Sequence, residues 1–211
     1  MFFRSAEERI KDFTDIIEND THGQEDKLIL NNAKFTKWLI DEGFFTAPAS
    51  TKYHGAYEGG LYDHSRAVYE RLAKLTEDNG LQWQRKESPF IVGMFHDLCK
   101  IDQYNFIEDM VNMSLAEYNE RLKSNVPYGH YEYNINTLLK GHGTKSVLLL
   151  SQFVTLTEEE MLCIRYHMGA YGNEQEQKEE WAGFDRAIKK TNGLCAWVHH
   201  ADQLASKIDD V

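Results

Sequence analysis

The chain has 211 residues, 42% of them hydrophobic, enough to bury one sizeable core. Its 34 acidic against 23 basic side chains give a net charge of −11, which argues against general binding to nucleic-acid backbone and leaves room only for a local basic pocket. The opening MFFRSAEERIKDF lacks the apolar core and cleavage site of a signal peptide, and no apolar run reaches the roughly 18–20 residues of a membrane span, so a cytoplasmic chain without a membrane partner is expected.

Helical periodicity dominates, and with three prolines and no linker-like tract the whole chain reads as a single domain. Residues 5–19 place Ile10, Phe13, Ile16 and Ile17 on one stripe. Residues 24–42 carry a second stripe through Leu28, Leu30, Phe35, Trp38 and Leu39, stopped near Gly43. Both read as packing helices without chemistry. Residues 44–60 form a loop rich in aromatic and small residues, ending in Gly59-Gly60. The helix that follows, 61–75, buries Leu61, Val68, Leu72 and Leu75. His64 lies three after Leu61 and four before Val68, so it shares that face, either as a hydrogen-bonded core residue or as a ligand.

Residues 88–100, SPFIVGMFHDLCK, read as an apolar helix with a polar end. Ser88 suits the N-cap and Pro89 the first turn. The helix delivers His96 and Asp97, with Lys100 a turn later. Either it has simply reached solvent, or a buried carboxylate there has a partner, since an unpaired one costs several kcal/mol, roughly. Two short strands are expected in 101–113 and 127–136. They would form a ribbon over 103–135 holding a short helix, 114–124, with a Ser114/Glu117 capping box.

Gly141-His142-Gly143 opens a helix over 144–154, with His142 as a turn residue or as a group brought close to a site. Thr157 and Glu160 cap a helix over 157–171, in which His167 shares the face of Cys163 and Ile164. An acidic loop then precedes a short amphipathic turn at 184–190. The last helix, 193–208, puts Asp202 on the face of Cys195, Val198 and Ala205, and at least one of His199 and His200 must point outward. Cys99, Cys163 and Cys195 are isolated, without a CxxC pair, and read as buried reduced thiols. The aromatic group Tyr53, His54, Tyr57, Tyr131 and Tyr133 reads as ordinary core, with stacking on a base as the alternative.

His64, His96, Asp97, His142, His167 and Asp202 thus all point inward or sit at a helix end. Each alone has an ordinary explanation, but together each would need its own buried partner. One shared metal centre satisfies them all. Nitrogen and carboxylate oxygen, without thiolate, suit a borderline divalent ion (Mn, Fe, Co, Ni or Zn) better than Ca.

The order of these residues resembles the H…HD…D pattern of the HD-domain metal-dependent phosphohydrolase superfamily. GGLYDHS resembles its GGL-x-x-H-[ST] entry, FHDLCK its HD-[IL]-x-K, and HHADQLASK at 199–207 its exit. GHG at 141–143 and RYHMG at 165–169 resemble the extra histidines of members that bind two metals. The likeness covers roughly 53–207 and is nearest to stand-alone bacterial HD proteins, more distantly to the HD half of certain 3′–5′ exoribonucleases. The resemblance implies an all-α HD-domain bundle with its metal site between helices. His64, His96, Asp97 and Asp202 would hold one ion, and His142 and His167 a second, with Asp97 bridging. Lys100 would neutralise a phosphoryl oxygen, so Asp97, Lys100, His142 and His167 carry the chemistry. The insertion at 107–130 departs from the pattern where substrate should approach.

The activity implied is hydrolysis of a phosphate mono- or diester of a nucleotide-like small molecule by metal-activated water. The rivals are a 3′–5′ exoribonuclease-like nuclease, a non-catalytic ligand-sensing HD module and a metal-dependent oxygenase. The acidic segments that precede the motifs argue against an RNA substrate, and the complete ligand set argues against a degenerate module.

Overall fold

The apolar stripes meet in one cluster that runs from Phe13 and Phe35 through Leu61, Phe95 and Ile164 to Ala205. The computed structural model describes residues 4–20, 33–108, 114, 129–170 and 174–209. These are mostly helical: α1 (Ala6–Asp20), α2 (Ala33–Asp41), α3 (Gly60–Asn79), α4 (Ser88–Phe95), a 3-10 helix (Leu98–Asp102), α5 (His142–Leu150), α6 (Glu158–Arg165), α7 (Glu174–Lys190) and α8 (Leu194–Leu204), which continues into a π-helical turn (Ala205–Asp209). Strands β1 (Tyr104–Glu108) and β2 (Gly129–Tyr133) form an antiparallel ribbon, with Tyr104 opposite Tyr133 and Phe106 opposite Tyr131. No helix among the described residues is long and apolar enough to cross a membrane.

Helices α3, α4 and α8 pack around the centre of the cluster, and α5 and α6 close its other side. Phe13, Phe90 and Phe95 stack edge and face at its middle. Each such ring contributes about 1.5–3 kcal/mol by leaving water.

Two polar clamps fix the helices that bear the candidate ligands. Arg9 of α1 is buried and donates from Nε and Nη2 to the two oxygens of Asp63 on α3, at 3.1 and 2.9 Å. The guanidinium lies where a side chain on Gly59 would be, and a Cβ on Gly60 would stand 2.0 Å from the Gly55 carbonyl oxygen. Gly59 also takes φ +83°, so the glycine pair lets the loop fold against the start of α3, one turn before His64. At the opposite end, Glu160 of α6 is buried among donors from Arg85, Ser88 and Thr157.

Several boundaries differ from expectation. The expected 24–42 helix is described only from residue 33, and the 114–124 helix falls outside the described residues apart from Ser114. The α-helix of 88–100 stops at Phe95 and tightens into the 3-10 turn that holds Lys100. Ser88 is not a cap; its hydroxyl donates to Glu160 at 2.8 Å. The Thr157/Glu160 capping box is present, but α6 ends at Arg165, before His167. The acidic loop and short turn are one helix, α7, because Glu, Gln and Lys are strong helix formers without needing an apolar stripe. The aromatic group is not core: Tyr53 and Tyr133 are 70% and 65% exposed, and the other three are half-buried. The loop and ribbon that carry them lie on the surface.

Candidate metal centre

Four separate segments of chain converge on one carboxylate. Asp97, 2% exposed, stands between the end of α4 and the 3-10 helix. Its Oδ1 lies 2.6 Å from His142 Nε2 and 3.3 Å from His167 Nε2. Its Oδ2 lies 2.6 Å from Lys100 Nζ, 3.4 Å from His96 Nε2 and 3.6 Å from His64 Nε2. Asp202 joins through His64, whose Nε2 is 3.2 Å from Asp202 Oδ1. All six residues proposed from the sequence are therefore in one place, and Lys100 is with them. His64, His96, His167, Asp97, Asp202 and Lys100 are buried, while His142 is half-buried at the rim.

Local backbone chemistry orients the rings. The last carbonyls of a helix have no intrahelical partner. His96 Nδ1–H donates to the Gly93 carbonyl at 2.8 Å as α4 ends, and His167 Nδ1–H donates to the Ile164 carbonyl at 2.7 Å as α6 ends. The two histidines use the same device, each bonding the carbonyl three residues back. With Nδ1 so occupied, each ring turns Nε2 toward Asp97, the arrangement that orients metal-ligating histidines. His199, half-buried on α8, donates from Nδ1 to the His167 carbonyl at 2.7 Å and holds that turn, while His200 is exposed. Gly143 permits α5 to approach, since a Cβ there would stand 2.4 Å from the Arg165 carbonyl oxygen.

His142 is oriented differently. Its Nδ1 faces the Cys99 thiol at 3.6 Å, and the Cys99 amide donates to Ser146 on α5 at 3.0 Å. The sequence predicts Cys99 as a buried reduced thiol and a ligand set without sulfur. Its burial is as expected, but it belongs to the site, because the 3-10 turn after Asp97 aims residue 99 at His142. Cys163 and Cys195 are also buried and free, with their sulfurs 3.8 Å apart.

Electrostatics set the protonation of the cluster. Burial opposes charge on Asp97, but Lys100, His96 and His142 hold its carboxyl well below the usual range. Burial likewise opposes charge on Asp202, but the hydrogen bond and charge of His64 outweigh it and lower its carboxyl too. The Lys100 ammonium is disfavoured by burial and favoured more strongly by Asp97, so its pKa rises. For His142, Asp97 and Cys99 outweigh burial and raise it to about 9. His54, in the loop before α3, is pushed down to about 4 by burial and by the charges of His64 and Lys100.

His64, His96 and Asp97 form a buried group able to hold a metal ion, and Asp97, Cys99 and His142 form a second that shares the carboxylate. The donor set fits such an ion on independent grounds. His167 Nε2 is buried without a hydrogen-bond partner. His96 Nε2, its other nitrogen already donating, faces His64 Nε2 at 3.3 Å. Lone pairs and carboxylate oxygens facing one another need protons or a cation between them.

Beside the centre lies a cleft of about 670 Å3 between the 43–58 loop and the ribbon, lined among others by Tyr57, Ile101, Tyr104, Phe106 and Tyr131. Comparison with protein-family models, with curated proteins and with solved structures gives no match.

Proposed function

We propose that this chain is a metal-dependent phosphohydrolase of the HD type, acting on a phosphate mono- or diester of a nucleotide-like small molecule. The observation that carries the reading is the convergence of His64, His96, His142 and His167 on the buried Asp97, with His167 Nε2 unpartnered. The order H…HD…D adds the resemblance described above. His64, His96, Asp97 and Asp202 would hold a first divalent ion (Mn, Fe, Co, Ni or Zn), and Asp97, His142 and His167 a second. The thiol of Cys99 lies within reach of the second position. Such an ion supplies positive charge to the phosphoryl oxygens and lowers the pKa of a water toward roughly 7.

The chain's own residues do the rest. Lys100 Nζ rests on Asp97 Oδ2, the oxygen that also faces His64 and His96. A divalent ion held by His64, His96 and Asp97 would share that oxygen with the ammonium, and Lys100 would then supply positive charge to a phosphoryl oxygen beside it. Without metal, His142 Nε2 holds a proton against Asp97 Oδ1 at the rim, and an ion held by Asp97 and His142 would take the place of that proton. The aromatic cleft accommodates a planar group larger than phosphate.

The test compares the parent with a His96→Ala/Asp97→Ala double variant. Metal content is measured alongside hydrolysis of p-nitrophenyl phosphate, bis-p-nitrophenyl phosphate and a nucleotide panel. Stoichiometric metal and hydrolysis in the parent, both lost in the variant, are expected. Equal metal content in the two proteins ends the metal-site reading. Metal without hydrolysis of any ester transfers the site to ligand sensing or oxygenase chemistry.

A further inference from the structure

The four histidine rings around Asp97 are spaced 4.7–5.2 Å from neighbour to neighbour: His64 to His96 5.2 Å, His96 to His167 4.7 Å, His167 to His142 5.2 Å. A fifth ring continues the series. His54 stands 5.0 Å from His64, tilted by 41°. Its Nδ1 is buried and has no hydrogen-bond partner among the described residues. Yet His54 joins neither of the groups whose atoms lie close enough together to share a metal ion. It is next to the ligands without being one.

The backbone of His54 is fixed. Ser50 Oγ donates to the His54 carbonyl at 2.8 Å and accepts from the Tyr53 amide at 2.8 Å, and the Ala49 amide donates to the Gly55 carbonyl at 2.8 Å. This small closed loop holds the ring over His64. The residues on either side of it in sequence, Thr51, Lys52, Ala56 and Tyr57, line the aromatic cleft. His54 itself does not line the cleft; it lies two residues from Lys52 and Ala56, which do, and its ring is 5.0 Å from that of His64.

A buried ring nitrogen without a partner, beside a metal-ligand cluster and on a loop whose neighbouring residues line a cleft, is a group that an atom from outside the chain would satisfy. Protein oxygen does not supply that atom, and the metal-ligand geometry does not reach it. We infer that His54 is a substrate-contacting residue, whose Nδ1–H donates to an oxygen of the phosphoryl group seated against Lys100 and the metal ligands. The inference rests on the proposed phosphohydrolase reading. It adds a residue that lies outside the H…HD…D order, and it assigns the phosphate end of the substrate to the inner end of the cleft and the planar end to Tyr57, Tyr104 and Tyr131.

The experiment uses the full chain loaded with Zn2+, with inorganic phosphate as the probe. Metal content by mass spectrometry and phosphate affinity by calorimetry are measured for the parent, His54→Ala and His54→Asn. Asn is chosen because its amide N–H can reach close to the place of Nδ1. The expected result is unchanged zinc in all three, phosphate binding weaker by about tenfold in His54→Ala, and partial recovery in His54→Asn. Zinc loss in His54→Ala makes the ring a ligand or a structural prop and overturns the inference. Unchanged phosphate affinity in that variant overturns it alone, leaving the phosphohydrolase reading intact. A parent that loads zinc but binds no phosphate overturns both. Should the variants fail to fold, nitrogen-15 spectra of histidine-labelled parent decide the matter. The His54 ring nitrogens must shift on adding phosphate, and an unmoved pair of signals overturns the inference.

Discussion

Among the described residues, the polar cluster around Glu160 and the one around Asp97 are built to opposite rules. Around Glu160 every lone pair has a donor. Oε1 accepts from Arg85 Nε and Ser88 Oγ at 2.8 Å each, and Oε2 accepts from Arg85 Nη2 at 2.6 Å and the Thr157 amide at 2.9 Å. One carboxylate meets one guanidinium, and nothing further is needed. Around Asp97, Lys100 and His142 direct protons at the carboxylate, but the Nε2 atoms of His96 and His167 are acceptors once their Nδ1 protons are committed to backbone carbonyls, and His167 Nε2 is left without a partner. Both clusters join α4 to α6 or to the turn that follows α6. The first closes on itself and serves folding; the second leaves a nitrogen unmatched as protein alone and could hold a metal ion. Low dielectric sharpens the contrast, because it rewards a satisfied network and penalises a partly satisfied one.

Breaking the satisfied cluster gives the largest expected effect on stability. Glu160→Ala strands Arg85 and Ser88 and costs about 3 kcal/mol, the lower end for a buried pair because Arg85 is partly solvated. For a chain of this size that lowers Tm by about 6–12 °C. Thermal unfolding measures the loss. Metal content of the folded variant stays at the parental value, and a matching loss of metal would show that the two clusters are not separable.

The incomplete cluster answers to metal instead. Divalent ion at about a hundred times its Kd stabilises the parent by about 2.7 kcal/mol. His167→Ala is expected to lose most of that increment; its metal-free Tm falls as well, because the buried ring's packing and its Nδ1 bond to the Ile164 carbonyl go with it, so the readout is the gap between metal-loaded and metal-free Tm within each variant. Unfolding scans with and without metal, run beside Glu160→Gln, separate the two behaviours. A Glu160 variant that loses the metal increment would contradict the contrast drawn here.

Acidity sharpens the comparison further. His142 has its folded pKa raised from 6.5 to about 9. The stability it contributes to the metal-free protein is fully present below 6.5 and is lost as pH rises through about 9. A metal ion bound at His142 must displace that proton, so metal affinity increases with pH across the same window, by up to about tenfold per unit for one proton. His54 has the opposite sign. Its folded pKa is depressed to about 4, so stability present above 6.5 is lost as pH falls toward 4. The thermal gap between metal-loaded and metal-free protein therefore widens from pH 6.5 to 9. A gap that narrows over this range would remove His142 from the ligand set.

Much of the centre could be read from side-chain spacing, and what could not has a physical reason. His64 and Asp202 lie within helices, where the 3.6-residue period decides which face they share with Leu61 or Val198. Periodicity gave the right neighbourhood for His96 and His167 but the wrong element. Both lie just past a helix end, because only there is a carbonyl three residues back free to take the Nδ1 proton. Cys99 depends on the tightening of the chain into a 3-10 turn, which no apolar pattern announces. The acidic first half of α7 was lost for the reverse reason: its composition favours a helix while its sequence carries no stripe. The surface position of Tyr53 and Tyr133 follows from a loop and a ribbon edge, where aromatic content says little about burial.

The smallest expected effect, and the most particular, concerns Lys100. It is buried and its ammonium lies 2.6 Å from Asp97 Oδ2, the oxygen that a metal ion held by His64 and His96 would share. Two cations drawn to one oxygen oppose each other, so removing the ammonium should help the metal. Lys100→Met keeps the length and apolar stem of the side chain and deletes only the charge. Its metal affinity is expected to rise severalfold by competition titration, while hydrolysis of p-nitrophenyl phosphate falls by about tenfold or more because the phosphoryl oxygens lose a positive neighbour. A plain structural role for Lys100 predicts the reverse on the first measurement, weaker metal binding as Asp97 loses the partner that holds it charged. The direction of the change in metal affinity, independent of any activity, therefore decides whether Lys100 completes the cluster as Arg85 does for Glu160 or merely occupies it until a stronger cation arrives.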